Sequence, residues 1–392
     1  MSEPTLTTAG EDCILASPHP NNYGLYYKVM DMPNSRYNRR ISIQFQIFAL
    51  LMFITAMLSG CERVQQIVAP QKVSAIETCT DGTRVLKVGF YAYFAPISYS
   101  AEEDPASTAF NTHLGYEADL LSALEAMKGT GLTFSRRAIA EWDGIWLKSA
   151  EPTYDIIGGG ITILESRTQD VTGTPLITFT SGHIKFRQTL LVRAADAERL
   201  SSHAALNSGV RVGALSGTTG EERLLQLTKL VDEDGILMSG TRIEMDDGTL
   251  VISDGTAAYT ITAARSSPNL KGRRHLYPPT ANMPQIIYLG NELGESELLD
   301  ALAAGSIDAI ARGEIGNQNT VHASNGAFVI TAFDEQVEYG GFTLALEDAA
   351  LAACIDKKLN YLTNNKSIGY GEWLQDPLVF MKRTEQWNIE TE

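Results

Sequence analysis

The sequence lacks the short motifs that mark metal, nucleotide and hydrolase sites. Its 392 residues contain only four cysteines and six histidines, and no CxxC, HExxH, GxSxG or Walker-type pattern occurs among them. Lys and Arg number 31 against 47 Asp and Glu, which gives a net charge of −16. We therefore expect no metal, no cofactor and no nucleic-acid partner, because nucleic acid is bound by clustered positive charge.

Length and apolar content predict two globular domains behind a long N-terminal region. With 44% hydrophobic and 20% charged residues, the chain can form two domains of ordinary size. Residues 1–29 show no sustained period, so they are either an extension or lie upstream of a true start near Met30 or Met32. Residues 61–83 are polar and weakly patterned, which suits a tether.

Residues 1–60 are predicted to end in an export signal. Arg36, Arg39 and Arg40 precede the apolar run Ile41–Leu58, and the letters LSGC follow, with Cys61 last. The run resembles a bacterial lipoprotein signal, which implies that Cys61 becomes the lipidated first residue of a periplasmic, membrane-anchored protein. An uncleaved anchor is one alternative, because a bilayer needs about 20 apolar residues. An ordinary secretory signal is the other.

The stretch Tyr154–Asp170, YDIIGGGITILESRTQD, carries the main functional signal. A short apolar strand ends in three glycines, which allow backbone or ligand to approach closely. Arg167 follows, and its guanidinium presents paired donors that suit a carboxylate. The alternative is an arginine that pairs on a helix surface with Glu165 or Asp170.

This stretch resembles the segment D-[VI]-I-x-x-G-x-[TS]-I-T-x-x-R of the polar amino-acid-type solute-binding proteins, the receptors of ABC importers. The resemblance implies that Arg167 holds the ligand's carboxylate, while Thr162 and Gly160 orient it. It also implies the type II periplasmic-binding fold. In that α/β fold two lobes, each a mostly parallel sheet flanked by helices, close about a hinge. A monomer that delivers its ligand to an ABC permease is expected.

Two aromatic segments extend the resemblance. The letters YAYFAPISY look like the family's aromatic-proline segment, which implies that Phe94 stacks on the ligand, with Tyr91 where the family often has an acid. In EWDGIWL, Trp142 is expected to line the cleft, whereas Trp146 is expected to pack within the fold. Some of these aromatic side chains must form ordinary core.

The letters VRVGALSGTTGE resemble a second family segment, in which a strand leads into a helix. The unpaired N–H groups of a helix start suit an anionic ligand group, and Thr218 and Thr219 add hydroxyls. Either threonine can also simply cap the helix. Both roles are compatible.

The sequence departs from the family pattern at two places. The acid that binds the ligand's ammonium group in the family falls on Gly313, with Glu314 beside it. Either Glu314 substitutes, or the ligand lacks an amine. Residues 230–292 look like an insertion, with a predicted β-hairpin around Asp247–Gly248. Its basic cluster, residues 271–275, is interpreted as a solvated loop, with a partner surface or a lid over the cleft as the alternative.

The resemblance sets the expected domains. Residues 84–192 with 328–392 are predicted to form lobe 1, and residues 193–327 lobe 2. In the resembled fold the chain end returns to the first lobe, so Cys79 and Cys354 can form a disulfide. Two separately buried thiols are the alternative.

The expected function is an extracytoplasmic receptor for a small carboxylate, an amino acid or a related organic acid. Two other functions stay open. One is an enzyme on the same fold, dehydratase-like, with Glu314 as the cleft acid. The other is a sensory or assembly module with a degenerate pocket.

Overall fold

Short strands dominate residues 77–289 and 296–392, the part of the chain that the computed structural model describes. In chain order, the first nine are β1 Leu86–Tyr91, β2 Tyr93–Phe94, β3 Ser98–Ser100, β4 His113–Leu114, β5 Phe134–Ile139, β6 Ile156–Gly158, β7 Ile177–Phe179, β8 Ile184–Phe186 and β9 Gln188–Arg193. The later strands are β10 Arg211–Ala214, β11 Arg242–Met245, β12 Leu250–Ile252, β13 Arg273–Tyr277, β14 Gln285–Tyr288, β15 Ala309–Gly313, β16 Phe328–Phe333, β17 Glu338–Gly340 and β18 Thr343–Ala345. The α-helices of this part are Tyr116–Ala126, Thr219–Leu227, Ser296–Ala304, Glu314–Ala323, Ala349–Leu362, Tyr370–Gln375 and Val379–Glu390.

Most of the strands form two sheets with one shared topology. The smaller sheet has the order β5-β1-β6-β18-β7, and the larger has the order β12-β11-β13-β14-β10-β15-β9-β16. In each, a central strand (β1 or β10) has parallel neighbours on both sides. An antiparallel strand from a distant part of the chain, β18 or β9, lies next to one of them. The predicted α/β fold of two sheet-based lobes is confirmed.

Two antiparallel strands join the sheets. The chain leaves the smaller sheet after β7, runs through β8 and enters the larger sheet at β9. It returns from β16 through β17 to β18, and β8 pairs with β17. The crossings therefore fall near residues 187 and 334. This paired connection lies where the sequence predicts a hinge.

Separate hydrophobic clusters support the two sheets. The helix Tyr116–Ala126 buries Leu120, Leu121 and Leu124 in the core behind the smaller sheet, as its helical period predicts. Burying each such side chain stabilises the fold by roughly 1.5–3 kcal/mol. The helix Ala349–Leu362 packs into the same core, also as predicted.

The insertion forms strands that extend the larger sheet. The predicted hairpin is confirmed, because β11 pairs with β12 around Gly248, whose φ of 81° is the left-handed conformation that glycine adopts readily. The interpretation of the basic cluster as a solvated loop is wrong. Strand β13 carries Arg273, Arg274 and His275, while Lys271 lies before the strand and is exposed. The side chain of Arg273 is buried, and its guanidinium binds the carboxylate of Glu221 at 2.6 Å.

The disulfide between Cys79 and Cys354 is present, with an S–S distance of 2.01 Å. It joins the segment before β1 to the helix Ala349–Leu362. Cys61, the export signal and most of the tether lie outside the described residues. Within the described part, no helix is both long enough and apolar enough to cross a membrane.

Candidate functional site

The triple glycine is held by a carboxylate that the sequence analysis missed. Glu117, fully buried at the start of the helix Tyr116–Ala126, accepts the N–H groups of Gly159 at 2.7 Å and Gly160 at 3.0 Å. The same carboxylate lies 3.0 Å from Nε2 of His183. A Cβ on Gly160 would lie 2.5 Å from the Phe94 ring. The N–H of Gly160 is therefore used inside the fold, and Phe94 packs against it.

Arg167 lies at the junction of the two halves of the structure. Its side chain is 1% exposed, so it does not pair along the surface with Glu165 or Asp170. Its Nη1 donates to the carbonyl of Thr162 at 3.2 Å, on its own side of the junction.

From the other half of the structure, two backbone carbonyls accept hydrogen bonds from Arg167. The carbonyl of Gly217 lies 3.3 Å from Nη2. The carbonyl of Ala263, in the insertion, lies 3.0 Å from Nη2 and 3.2 Å from Nε. Arg167 thus connects the smaller sheet's half of the chain to the larger sheet's half through backbone oxygens.

The charge of Arg167 is only partly compensated. Burial lowers the pKa of Arg167 to about 10, and the more distant carboxylates of Glu222 and Glu338 oppose that shift. In the described part of the chain, its hydrogen-bond acceptors are neutral carbonyls. A desolvated cation with such partners is an arrangement that an anion would stabilise.

Tryptophan rings cover the guanidinium. Arg167 lies 4.3 Å from the ring centre of Trp146 and 5.6 Å from that of Trp142. Trp142 donates its Nε1–H to the carbonyl of Gly217 at 3.0 Å, and Tyr91 contacts its ring edge-on at 5.0 Å. Trp142 therefore lies at the junction, and its role in lining a ligand cleft stays a prediction. Trp146 packs in the core but also contacts the arginine, a role that its sequence pattern did not indicate.

Thr162 and Thr219 lie together, and two further polar side chains join them. Their hydroxyl oxygens are 3.4 Å apart. Thr162 donates to a carboxylate oxygen of Glu338 at 3.1 Å. Gln188 donates to Thr219 at 2.9 Å and to Glu338 at 3.1 Å. Together with Arg167, these four residues form a polar group of five. Its members come from both halves of the structure and from the connecting strand β17.

Thr218 caps the helix Thr219–Leu227, which is the simpler of its two expected roles. Its hydroxyl accepts the N–H of Glu221 at 3.1 Å. Glu221 in turn accepts the N–H of Gly217 at 2.7 Å and binds Arg273. The chain's own carboxylate thus occupies one backbone donor of the loop before this helix, the N–H of Gly217.

The structure does not bring Glu314 to Arg167. Glu314 begins the helix Glu314–Ala323, where it lies 3.6 Å from Nε of Arg187 and accepts from Gln318 at 2.9 Å. Two other acids act on Arg167 instead: Glu338, which binds Thr162, and Glu222. Burial raises the pKa of Glu222, while the N–H of Ala263 and the charge of Arg167 oppose that shift.

Glu222→Gln is expected to stabilise the folded protein at neutral pH. A raised pKa means that the folded state binds a proton more tightly than the unfolded chain does, so the wild type loses stability as pH rises through that window. Glutamine stays neutral and avoids this loss. We expect the variant's advantage in free energy of unfolding at pH 7 to shrink toward about pH 4, near the ordinary carboxyl pKa. Urea titrations across this range measure it.

Glu233→Gln provides the control for that titration. Glu233 is exposed in the same half of the structure, so its removal is expected to change stability less at each pH. An advantage of Glu222→Gln that is the same at pH 4 and pH 7 would contradict the buried-carboxylate explanation.

A cavity of about 280 Å³ lies next to this group of polar residues. Thr162, Gly182, Glu338, Tyr339 and Lys366 contribute to its lining. Arg167 is not among the lining residues.

The described residues contain no cluster of His, Cys, Asp and Glu side chains that could hold a metal ion. No protein-family model and no curated protein matches the chain. Solved structures do match it. Among them is the ancestral amino acid-binding protein AncCDT-1, a precursor of cyclohexadienyl dehydratase, at 18% identity over 77% of this chain and 95% of that one, with a TM-score of 0.47.

Two further solved structures come from bacteria. Holo ArgBP from T. maritima is 19% identical over 74% of this chain and 96% of that one, with a TM-score of 0.46. AbpA from Streptococcus pneumoniae, an amino acid ABC transporter substrate-binding protein bound to L-arginine, is 16% identical over 78% of this chain and 95% of that one, with a TM-score of 0.45. At these identities the likeness assigns no ligand to this chain.

Proposed function

We propose that this protein is an extracytoplasmic receptor that binds a small carboxylate-bearing solute at Arg167, between its two sheets. The observation that supports this function is the guanidinium itself, which is buried at the junction and hydrogen-bonded to neutral carbonyls. A carboxylate matches its paired donors and would compensate its charge. The carbonyls that accept from Arg167 come from both halves, and a bound carboxylate would take their place as the acceptor of its N–H groups.

We infer that the solute is an amino acid or a related organic acid. We assign the binding of an amino group to Glu222, whose charge acts on Arg167; this is the role that Glu314 would have if it substituted for the family's acid. Thr162 and Thr219 supply hydroxyls beside it. Phe94, Tyr91 and Trp142 form an apolar wall on the side of the smaller sheet.

Delivery to an ABC permease and anchoring through a lipid on Cys61 complete the proposal. The paired strands β8 and β17 are the two connections about which the lobes would rotate to admit and trap the solute. A receptor held at the membrane by its first mature residue would remain close to its permease.

The test compares each carboxylate with its own amide. L-amino acids and small organic acids are screened by isothermal titration calorimetry, and every solute that binds is measured again as the carboxamide, which has the same shape but no charge. A hydrogen bond to a charged group contributes about 1.5–3 kcal/mol, so we expect the amide to bind at least tenfold more weakly. Equal affinity for acid and amide, or no binding of any acid, would overturn the proposal. Consumption of the bound solute would favour the enzyme alternative.

A further inference from the structure

A turn of the insertion occupies the space beside Arg167. The turn Thr262–Arg265 is closed by a hydrogen bond from the N–H of Thr262 to the carbonyl of Arg265 at 2.9 Å, and a bridge between Ile261 and Ser266 forms its base. Ile261 and Ala263 are fully buried, whereas Arg265 is exposed. One side of the turn therefore enters the protein while the other faces solvent.

Ala263 binds the charged group of Arg167 through its backbone. Its carbonyl accepts two N–H groups of Arg167, at 3.0 and 3.2 Å. The N–H of Ala263 also lowers the pKa of Glu222, against the effect of burial. A carboxylate-bearing solute would offer its own oxygens to the same arginine, so the carbonyl of Ala263 presents an acceptor where such a solute would present its carboxylate.

We propose that the turn Thr262–Arg265 is a tethered occupant of the Arg167 site, which a solute must displace before the guanidinium can bind its carboxylate. This inference rests on the proposed function. The turn belongs to the half of the chain that carries the larger sheet, and Arg167 belongs to the other half, so the contact also holds the two halves together. A solute binds only the fraction of molecules in which the turn has left, and its apparent affinity is reduced by that fraction.

The residue types in the turn are compatible with its entering and leaving the Arg167 site. Ala263 and Ala264 at its tip have the smallest side chains that keep a Cβ, so the tip can reach a narrow site. The carbonyl of Ala263 is a neutral acceptor, and a carboxylate forms a stronger bond with a guanidinium. A solute of the right shape can therefore replace the turn.

The test shortens the turn without unfolding its base. Replacing Thr262–Arg265 with Asn-Gly leaves a two-residue hairpin loop between Ile261 and Ser266, a favoured connection for antiparallel neighbours. This change removes Ala263 and keeps the bridge. Calorimetry with L-amino acids and small organic acids compares the shortened protein with the wild type, and we expect at least tenfold tighter binding. Thr260→Val, which removes a hydroxyl that bonds Ala257 in the same insertion, is the matched control and should leave affinity unchanged.

A second measurement does not depend on finding a solute. Phenylglyoxal modifies accessible arginines, and peptide mass mapping follows Arg167 against the exposed Arg242 in the same sample. We expect Arg167 to be modified at least tenfold faster in the shortened protein, with no change at Arg242. Equal solute affinity in both proteins would overturn the tethered occupant and leave the receptor function standing. If no solute binds either protein, the receptor function fails, and the modification rate of Arg167 alone decides whether the turn covers the site.

Discussion

Arg167→Met is expected to abolish carboxylate binding, with an affinity loss of at least about a hundredfold. The wild-type guanidinium can offer two parallel hydrogen bonds and a full charge to a carboxylate, and bonds of this kind contribute about 1.5–3 kcal/mol each. Methionine keeps much of the apolar contact with Trp146 but supplies neither charge nor donors. Calorimetry with the solute that binds wild type most tightly measures the loss.

Two further variants separate the guanidinium from general charge. Arg167→Lys keeps the charge but loses the fork, so we expect it to recover only part of the affinity. Arg242→Met removes an exposed arginine of the other half, whose guanidinium lies 4.8 Å from the Tyr277 ring, and should bind as wild type does. Wild-type affinity in Arg167→Met would remove the arginine from the binding site. Circular dichroism establishes that each variant is folded.

Arg273→Met is expected to destabilise the protein by about 3–5 kcal/mol, because it leaves a buried carboxylate without its partner. Glu221 is fully buried, and Arg273 binds it through Nη2 at 2.6 Å and Nε at 3.2 Å. Burial lowers the pKa of Arg273, but the charge of Glu221 together with the contributions of Tyr288 and of the hydrogen bonds raises that pKa above its ordinary value, so the guanidinium stays charged. Urea denaturation at pH 7 measures the free energy of unfolding.

The double variant Glu221→Leu with Arg273→Met tests the explanation. Replacing both members of a buried pair by apolar side chains leaves no isolated charge, so we expect a smaller loss than in Arg273→Met alone. Arg242→Met serves again as the control, with a change of less than about 0.5 kcal/mol. A double variant as unstable as the single one would show that the lost charge partner is not the cause. This pair matters for the site because Glu221 also binds the N–H of Gly217, whose carbonyl contacts Arg167 and Trp142.

Local patterns in the sequence predicted the elements well. The apolar period around Leu120 and Leu124 predicted the helix Tyr116–Ala126, and the letters MDDGT predicted the hairpin of β11 and β12. Both predictions depend on residues that are only a few positions apart along the chain. The expected pairing of Cys79 with Cys354, 275 residues apart, came from the resemblance to a known fold rather than from any local pattern.

The long-range contacts of the site were not predicted, because the residues that form them lie far apart in the sequence. Glu117 binds glycines 42 and 43 residues away, and the Ala263 carbonyl binds an arginine 96 residues away. No local signal marks a backbone carbonyl as a partner, since every residue carries one. The basic cluster was interpreted as a solvated loop because nothing in residues 271–275 indicates that the carboxylate of Glu221 lies next to Arg273.

By itself the sequence determined the main helices, the hairpin and an arginine suited to a carboxylate, because these follow from period, turn chemistry and side-chain type. The α/β class was expected from the resemblance to a known fold. Tertiary structure alone decided what surrounds that arginine. The guanidinium of Arg167 is packed against Trp146 and Trp142 and is therefore shielded from water. The fold places the carbonyl of Ala263 in hydrogen-bond contact with it, and the charge of Glu222 acts on it. A charged group that is buried away from water needs hydrogen-bond partners within the protein, and the turn Thr262–Arg265 supplies one for Arg167.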